Sequence, residues 1–563
     1  MKNLNIKIKT ITRAMILSGL FATVSCQDVL ETSPKGILSE DQLTTGASVE
    51  TLIVAAYQGL GAHFFGNGEA FLGPTSNWVN EVRSDNAYKG GGGTQDLSEA
   101  YQLETNTLDP TNGIAFNKWR NLMFGISRTN FAIRQLGKVQ DADYPVTTRL
   151  AEMRMLRGHF HFDLKRNYDE IPYLDENADV TKVSNKQFTS DELWQKIEAD
   201  FQFAYENLPE TQSQIGRVNK YNAAAYLAKI ALETKQWAKA IQYADVVINA
   251  GKYRLLDNFE DNSKVAFENG PEAVFTVQFS TENNYASHNW GDLLNVTRSP
   301  GIASGGYANG DDFYLGSQNL VNAFRTDVNG LPLFDSFDNV DVLDGDYSGS
   351  LDPRVDHTVG RLGIPWKGTA IYTEAWVRDP AYMPGFSGKK NIEAPNAPGM
   401  NQTFPWAATG LNYVLIRYSE VLLWKAEALI ESNQDLDEAR SLINQVRDRA
   451  RTGSYVKTLD GSSDAANYLV GIYPSSGWSQ DYARKALRFE RRLELAMEGH
   501  RIYDLNRWGI AAQTMNAYYQ SEGTTATYLA GKVFVAGKHE YLPIPQSEID
   551  LAPTVYFQRD AYK

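Results

Sequence analysis

Residues 221–251 constrain the architecture more than any other part of the chain. Tyr221 to Leu232 reads YNAAAYLAKIAL, with small side chains at helical spacing that let a second helix approach closely. After the polar break 233–236, Trp237, Ile241, Ala244 and Ile248 recur at i, i+4, i+7 and i+11, and Gly251 follows as a C-terminal stop. The pair spans about 34 residues, the period of a tetratricopeptide-like (TPR-like) helical hairpin. A second pair is expected from Leu415 to Leu429, with a partner helix carrying Leu436, Ala439, Ile443 and Val446. Apolar spacing at 113–136, 147–166 and 190–207, for instance Leu193, Ile197 and Phe201, predicts further helices. The expected fold class is mainly α, a scaffold of TPR-like helical hairpins whose apolar stripes pack helix on helix.

Between the two clearest hairpins lies a different kind of chain. Residues 255–410 are rich in Gly, Pro, Asn, Asp and aromatics, with turn signals at Asn329-Gly330 and Asp344-Gly345 and a strand-like run Ala273 to Phe279. This reads as a large loop-rich insert. A smaller irregular region, 61–112, contains Gly90 to Gly93. Ligand sites concentrate on irregular segments carried by rigid scaffolds, so function is sought in these two regions.

The 54 basic and 68 acidic residues give a formal charge of −14, which repels polyphosphate and argues against nucleic acid as a general partner. The first residues carry Lys2, Lys7, Lys9 and Arg13 and no acid, and the apolar run Ala14 to Val24 follows. That is a signal-peptide pattern, too short for a stable membrane-spanning helix. Ser25 then precedes Cys26, the one cysteine of the chain. A lone cysteine forms no intrachain disulfide, and its placement resembles a bacterial lipoprotein signal, where cleavage before the cysteine leaves a thiol that is acylated. Thr23 stands where the common lipoprotein motif has leucine. Multiple acyl chains on Cys26 would hold the protein to a membrane.

Signs of catalytic chemistry are sparse. There is no P-loop, HExxH, G-x-S-x-G or paired CxxC. His159 and His161, two apart, lie on different faces of their helix and read as packing or network residues rather than metal ligands. The acids Asp335, Asp338, Asp341, Asp344, Asp346 and Asp352 lack EF-hand spacing and read as a solvated acidic loop, with calcium binding the sharper alternative. In the segment 490–509, Phe489, Leu493 and Ala496 make a core stripe, while Glu494, Glu498, Arg501 and Arg507 are set to bond neighbouring helices and loops. Carboxylate pairs for glycoside hydrolysis leave no fixed spacing, so a helical glycoside hydrolase remains a rival reading. A TPR-like docking scaffold without glycan binding is another.

Two motifs carry a family resemblance. ERRLELAMEGHRIYDLNRWG, Glu490 to Gly509, resembles the C-terminal signature of the SusD/RagB family of Bacteroidetes outer-membrane lipoproteins, and YLPIPQSEID, Tyr541 to Asp550, resembles its closing motif. MRMLRGHFHFDLKRNYDEIPY from Met153, the hairpin at 221–251 and YVLIRYSEVLLWKAEAL from Tyr413 agree with it. The acids Asp28 and Glu31 behind Cys26 look like the signals that send such lipoproteins to the cell surface.

The resemblance implies a scaffold of four TPR-like helix pairs topped by loops that bind a nutrient glycan. It also implies a place at the cell surface, as a lid on a SusC-like TonB-dependent transporter, and no enzymatic activity; with the metal and nucleotide motifs missing, no cofactor or catalytic metal is expected. Residues 1–25 are then the signal peptide and 26–563 a SusD-like domain. Its scaffold occupies about 40–254 and 411–510, the ligand-binding insert about 255–410, and a C-terminal extension 511–563. No binding residue transfers by motif. Sugar rings stack their apolar faces on aromatic rings beside hydrogen-bonding side chains, and that selects loop candidates: Trp78 with Asn77, Asn80 and Glu81; Tyr285, His288 and Trp290; Tyr307 and Tyr314; and Trp376 beside Arg378.

Overall fold

The computed structural model describes residues 43–61, 78–282, 287–298, 310–390, 392–395, 397–400 and 409–563, with only the backbone at Trp78. Among them are ten helices of twelve residues or more. These are α1 (Gly46–Gly61), α2 (Gly113–Leu136), α3 (Val146–Tyr168), α4 (Ser190–Asn207), α5 (Lys220–Glu233), α6 (Trp237–Ile248), α7 (Tyr418–Glu431), α8 (Leu436–Thr452), α9 (Gln480–Leu495) and α10 (Ala511–Glu522). Each of α1 to α8 packs on its sequence neighbour, giving four successive pairs, and α9 closes against α7 and α8. The insert is spanned by α6 resting on α7, so the scaffold is continuous across it.

The hairpin at 220–248 shows why the sequence folds this way. Asn219 caps α5 by accepting from the Tyr221 and Asn222 N–H groups, while Asn222 Oδ1 accepts from the Asn219 N–H. Ala223, Ala224, Ala225, Ala228 and Ala231 are buried, so α5 is enclosed between neighbours that only small residues admit. On α6 the buried stripe is Ala240, Tyr243, Ala244 and Val247, flanked by half-buried Trp237, Ile241 and Ile248. His159 bonds Tyr226 Oη through Nδ1 at 2.6 Å, and His161 accepts the Leu174 N–H at Nε2, so both are network residues.

The expected helix at 415–429 begins later than its pattern suggests. Tyr413–Arg417 is a strand and the helix starts at Tyr418. The β-branched Val414 and Ile416 suit an extended chain, and this strand pairs antiparallel with Ala273–Val277, aligning Ala273 with Arg417 and Val277 with Tyr413. A second pair joins the two irregular regions: Ala87–Gly90 lies antiparallel to Phe313–Gly316. A short hairpin, Pro365–Trp366 with Ala370–Ile371, completes the strands among the described residues. The insert has its own core of Val296, Trp366, Tyr372, Trp376, Ile392 and Met400. The acidic run is largely the solvated loop that its pattern suggests: Asp335, Asp341 and Asp346 are exposed, Asp338 and Asp344 are half-buried, and Asp352 alone is buried. Asp338 accepts from Asn319 and Asn322, Asp341 from Asn322, Asp335 from Lys485 and Asp352 from Arg354.

Scaffold and insert are joined by buried charge. Glu494 accepts from Arg417 at 2.8 Å, from Arg354 at 3.1 Å and from Arg449. Glu490 receives Arg354 at 2.6 Å and Arg447 at 2.8 Å, and Glu272 receives Arg417 and Arg449 at 2.8 and 3.1 Å. Glu498 pairs with Arg417 and Lys390, and Asp352 with Arg354. A second set ties the same signature to residues 81–86: Asp85 pairs with Arg492 and Arg501, and Glu81 accepts the Met497 and Gly499 N–H groups at 2.9 Å. Arg507 donates to the two Glu427 carboxylate oxygens from Nε and Nη2, each at 2.8 Å. The signature 490–509 is therefore structural.

Burial raises the Glu494 carboxyl, but Arg449, Arg417 and Arg354 outweigh it and hold the group well below its ordinary 4.5. Asp85 is likewise brought from 3.8 to about 2, where Arg492 and Arg501 outweigh burial. Folded values below unfolded ones mean stabilisation that is complete above about pH 4.5 and is lost as pH falls toward 2. Glu494→Gln should lower the unfolding free energy by about 3–5 kcal/mol at neutral pH, because three buried arginines lose their shared partner. Urea unfolding at pH 7 and pH 4 tests this, with a smaller fall on acidification in the variant than in the parent; a loss under about 1 kcal/mol at pH 7 contradicts it.

Candidate ligand cleft

Most of the sugar-stacking candidates named from the sequence are interior. Asn80 is buried, and Glu81 has its carboxylate saturated by Asn86 and the two backbone N–H groups. His288 and Trp290 are buried beside the bridge in which the Asn289 N–H donates to Thr409 O at 2.7 Å. Tyr314 is enclosed in the Phe313–Gly316 strand with a left-handed φ of 61°. Trp376 is 1% exposed and packs on Trp366 and Tyr372 with centroids 5.6 and 5.8 Å away. Their rings offer no open face to a ligand. The reasons differ: Trp376 belongs to the insert's own core, Tyr314 to the main core, and Glu81 to the polar contacts with the 490–509 segment. Cys26, Asn77, Tyr285 and Tyr307, and the Trp78 side chain, lie outside the described residues.

An open cleft of about 420 Å³ lies where the two irregular regions leave the scaffold. One wall is the last turns of α1, with Val54, Tyr57, Gln58 and Leu60. The second is the loop Gln214 to Arg217, and the third is the end of the Ala273–Val277 strand continuing through Gln278 and Phe279, with Ser287 beside it. Gly216 has φ +86°, and a Cβ there would sit 2.5 Å from Gln278 Cγ, so the loop closes on the strand only with glycine. Gly61 lets the Phe279 ring approach the end of α1, since an added Cβ would be 3.2 Å from it.

The polar groups are fixed from behind. Tyr57 Oη donates to Glu152 Oε2 at 2.6 Å and accepts the Val218 N–H at 3.0 Å. Burial first, and Glu152 second, push the Tyr57 hydroxyl well above its usual value, so it stays protonated. Arg217 bonds Glu152 at 2.9 Å and pairs with Glu50, with its guanidinium 5.8 Å from the Tyr57 ring centre. Gln278 bonds Asn269, Thr276 and Asn412, and Asn412 Oδ1 accepts the Phe279 N–H at 2.7 Å. The half-buried rings of Tyr57 and Phe279 stand among amides and a guanidinium that hydrogen-bond without titrating. No carboxylate lines the cleft among the described residues. A second, more polar depression of about 480 Å³ shares the loop Gln214 to Arg217 and Thr276, extending the cleft toward Asn219, Lys252 and Tyr253.

The sequence pattern of the SusD family matches residues 271–562. The chain belongs to the SusD family. A further pattern, described as starch-binding associating with outer membrane, matches residues 31–232. A SusD-like protein of Formosa agariphila is 28% identical over 500 residues, covering 87% of this chain and 88% of that one. Among solved structures, a laminarin-binding SusD-like protein superposes with a TM-score of 0.65 at 22% identity over 92% of this chain and 100% of that one. Surface glycan-binding protein A from Bacteroides thetaiotaomicron, in complex with laminarihexaose, gives 0.62 at 21% identity over 92% and 99%. The SusD fold accounts for the paired helices and the irregular insert together.

Sequence reasoning missed Tyr57, Arg217 and Phe279. Phe279 ends the strand-like run already visible in the sequence, whereas nothing local marks Tyr57 or Arg217 as neighbours of it. Trp376→Ala should cost about 3–5 kcal/mol of stability by opening a cavity, and Phe279→Ala on its half-buried ring about 1 kcal/mol. Chemical denaturation of both variants checks this; equal losses would contradict the assignment of Trp376 to core and Phe279 to the cleft.

Proposed function

We propose that this SusD-family chain is a glycan-binding lipoprotein of the outer membrane that captures oligosaccharide at the cell surface and delivers it to a SusC-like TonB-dependent transporter. The observation that carries the reading is the cleft itself, two half-buried aromatic rings framed by Gln58, Gln214, Arg217, Gln278 and Ser287. Aromatic faces take the apolar side of a sugar ring, and fixed amides and guanidinium bond its hydroxyls. The adjoining polar depression favours a chain of sugars over a single ring. The laminarin and laminarihexaose named for two structural neighbours make β-glucan the first ligand to try.

Binding proceeds without cleavage in this reading. Glycoside hydrolysis uses two carboxyl groups flanking the scissile bond, about 5–9.5 Å apart, and the described cleft lining supplies none. Anchoring falls to Cys26, with acyl chains contributing about 0.8 kcal/mol per buried CH₂.

Calorimetry with laminari-oligosaccharides and a panel of other neutral glycans should show binding that Phe279→Ala weakens about tenfold. No new reducing ends should appear on prolonged incubation; their appearance would favour the hydrolase instead. Cys26→Ala should move the protein from the outer-membrane fraction to the soluble one, and membrane retention of this variant would refute lipid anchoring. Retained binding to the transporter with no affinity for any glycan would favour a docking scaffold.

A further inference from the structure

A second cavity of about 340 Å³ shares no lining residue with the cleft. Its size is at the lower end of small-molecule sites, which run from about 300 to 1,000 Å³. Its walls are the segment 259–264, the short helix Arg354–Thr358, the Pro365–Ile371 hairpin turn, Lys389, Glu393 and Ala394, and the loop 455–459.

Lys367 occupies the turn of that hairpin. Its φ is +45° and that of Gly368 is +72°, and the Thr369 N–H closes the turn on Trp366 O at 2.9 Å. Left-handed φ at both central positions is the arrangement that favours Asn-Gly, and a lysine in the first position is strained by of order 1 kcal/mol. Such strain persists only where the surroundings hold it, and it gathers at ligand sites. The half-buried Lys367 amine forms no hydrogen bond or ion pair with any described residue.

The charges around it are matched. Lys264 pairs with Glu260 and Asp261 at 3.1 and 2.9 Å, and Lys457 with Asp464. Asp356 is held by Arg361 through both oxygens and by Tyr468 at 2.6 Å. Glu393 accepts the Val265 and Ala394 N–H groups. Lys389 gives two of its three N–H groups to the Asp356 and Pro365 carbonyls at 2.7 and 3.2 Å. What this cavity leaves without a partner among the described residues are N–H donors, those of Lys367 and the third of Lys389. Burial, against the pull of Glu393 and Glu260, lowers Lys367 to about 8, and burial lowers Lys389 to about 7, so an entering anion would favour the charged form of both. The remaining wall is a flat one. The half-buried Tyr455 ring is fixed by its hydroxyl donating to Arg451 O at 2.8 Å and by edge contact with Tyr468 at 5.4 Å.

We propose that this cavity is a second binding site, separate from the neutral-sugar cleft, for a sugar bearing a carboxylate, a uronic acid residue whose anion meets Lys367 and whose ring face meets Tyr455. The site stands on its own geometry and survives if the cleft proves to bind nothing.

Calorimetry on the purified full-length protein with D-glucuronate, tri-galacturonate and D-glucose tests it. Both uronates should bind and glucose should be at least about tenfold weaker, the loss of one charge-assisted hydrogen bond. A free monosaccharide and a chain residue share this chemistry, and the two uronate probes separate them. Lys367→Asn removes the charge and keeps a residue that tolerates left-handed φ, so uronate affinity should fall about tenfold or more at an unfolding midpoint no lower than the parent's. Lys367→Gly provides the same test should the asparagine variant fold poorly, and Lys367→Arg should restore part of the affinity. Phe279→Ala, in the cleft, should leave uronate binding unchanged. The proposal is overturned if neither uronate binds, if Lys367→Asn and Lys367→Gly bind as the parent does, or if Phe279→Ala abolishes uronate binding while Lys367→Asn retains it.

Discussion

Five buried cations, Arg354, Arg417, Arg447, Arg449 and Lys390, with the buried carboxylates of Glu272, Asp352, Glu490 and Glu494 and the half-buried one of Glu498, form the interaction on which the rest of the structure depends. Each ion left water at a cost of several kcal/mol, and only the complete set returns it, so the pieces must assemble together or leave unpaired charge in the core. They come from chain segments far apart: the approach to the first insert strand, the middle of the insert, the junction into α7, the end of α8 and the end of α9. Helix packing alone would leave the insert free to slide. The network pins it to one place on the scaffold.

That pinning positions the cleft. Arg417 ends the strand Tyr413–Arg417, and its three glutamate partners fix where that strand enters α7. The partner strand follows from the pairing, and the strand in turn delivers Gln278 and Phe279 opposite α1. The floor of the cleft is therefore rigid and its polar groups are held from behind by Glu152, Asn269 and Asn412, an order that suits recognition by preorganised hydrogen bonds. The two cavities differ in what they hold unmatched. The cleft presents neutral amides and rings, with its guanidinium already paired; the second cavity presents a lysine amine without a partner among the described residues.

Reading the sequence went well where the signal was local and periodic. The capped, alanine-rich α5 and its partner α6 folded as their spacing indicated, and the charges of 490–509 form the bonds to helices and loops that their dense pattern suggested. It failed at Tyr413–Arg417, where an apolar run with β-branched residues is compatible with helix or strand and only its partner across the insert decided. It failed again on Trp376, Tyr314 and Glu81. An aromatic or acid in a loop-rich segment looks the same in sequence whether it faces solvent or is enclosed by other parts of the chain.

By itself the sequence determined the helical pairs, the irregular insert between them, the resemblance to the SusD family and a signal-peptide pattern ending at Cys26, because each is written in neighbouring residues or short motifs. Tertiary structure alone decided which rings remain open. Tyr57, Arg217 and Phe279 come from a helix, a loop and a strand that meet only once the buried charges have set the insert on the scaffold. Exposure depends on what the rest of the chain covers, and coverage is a property of the packed fold that no local stretch of residues contains.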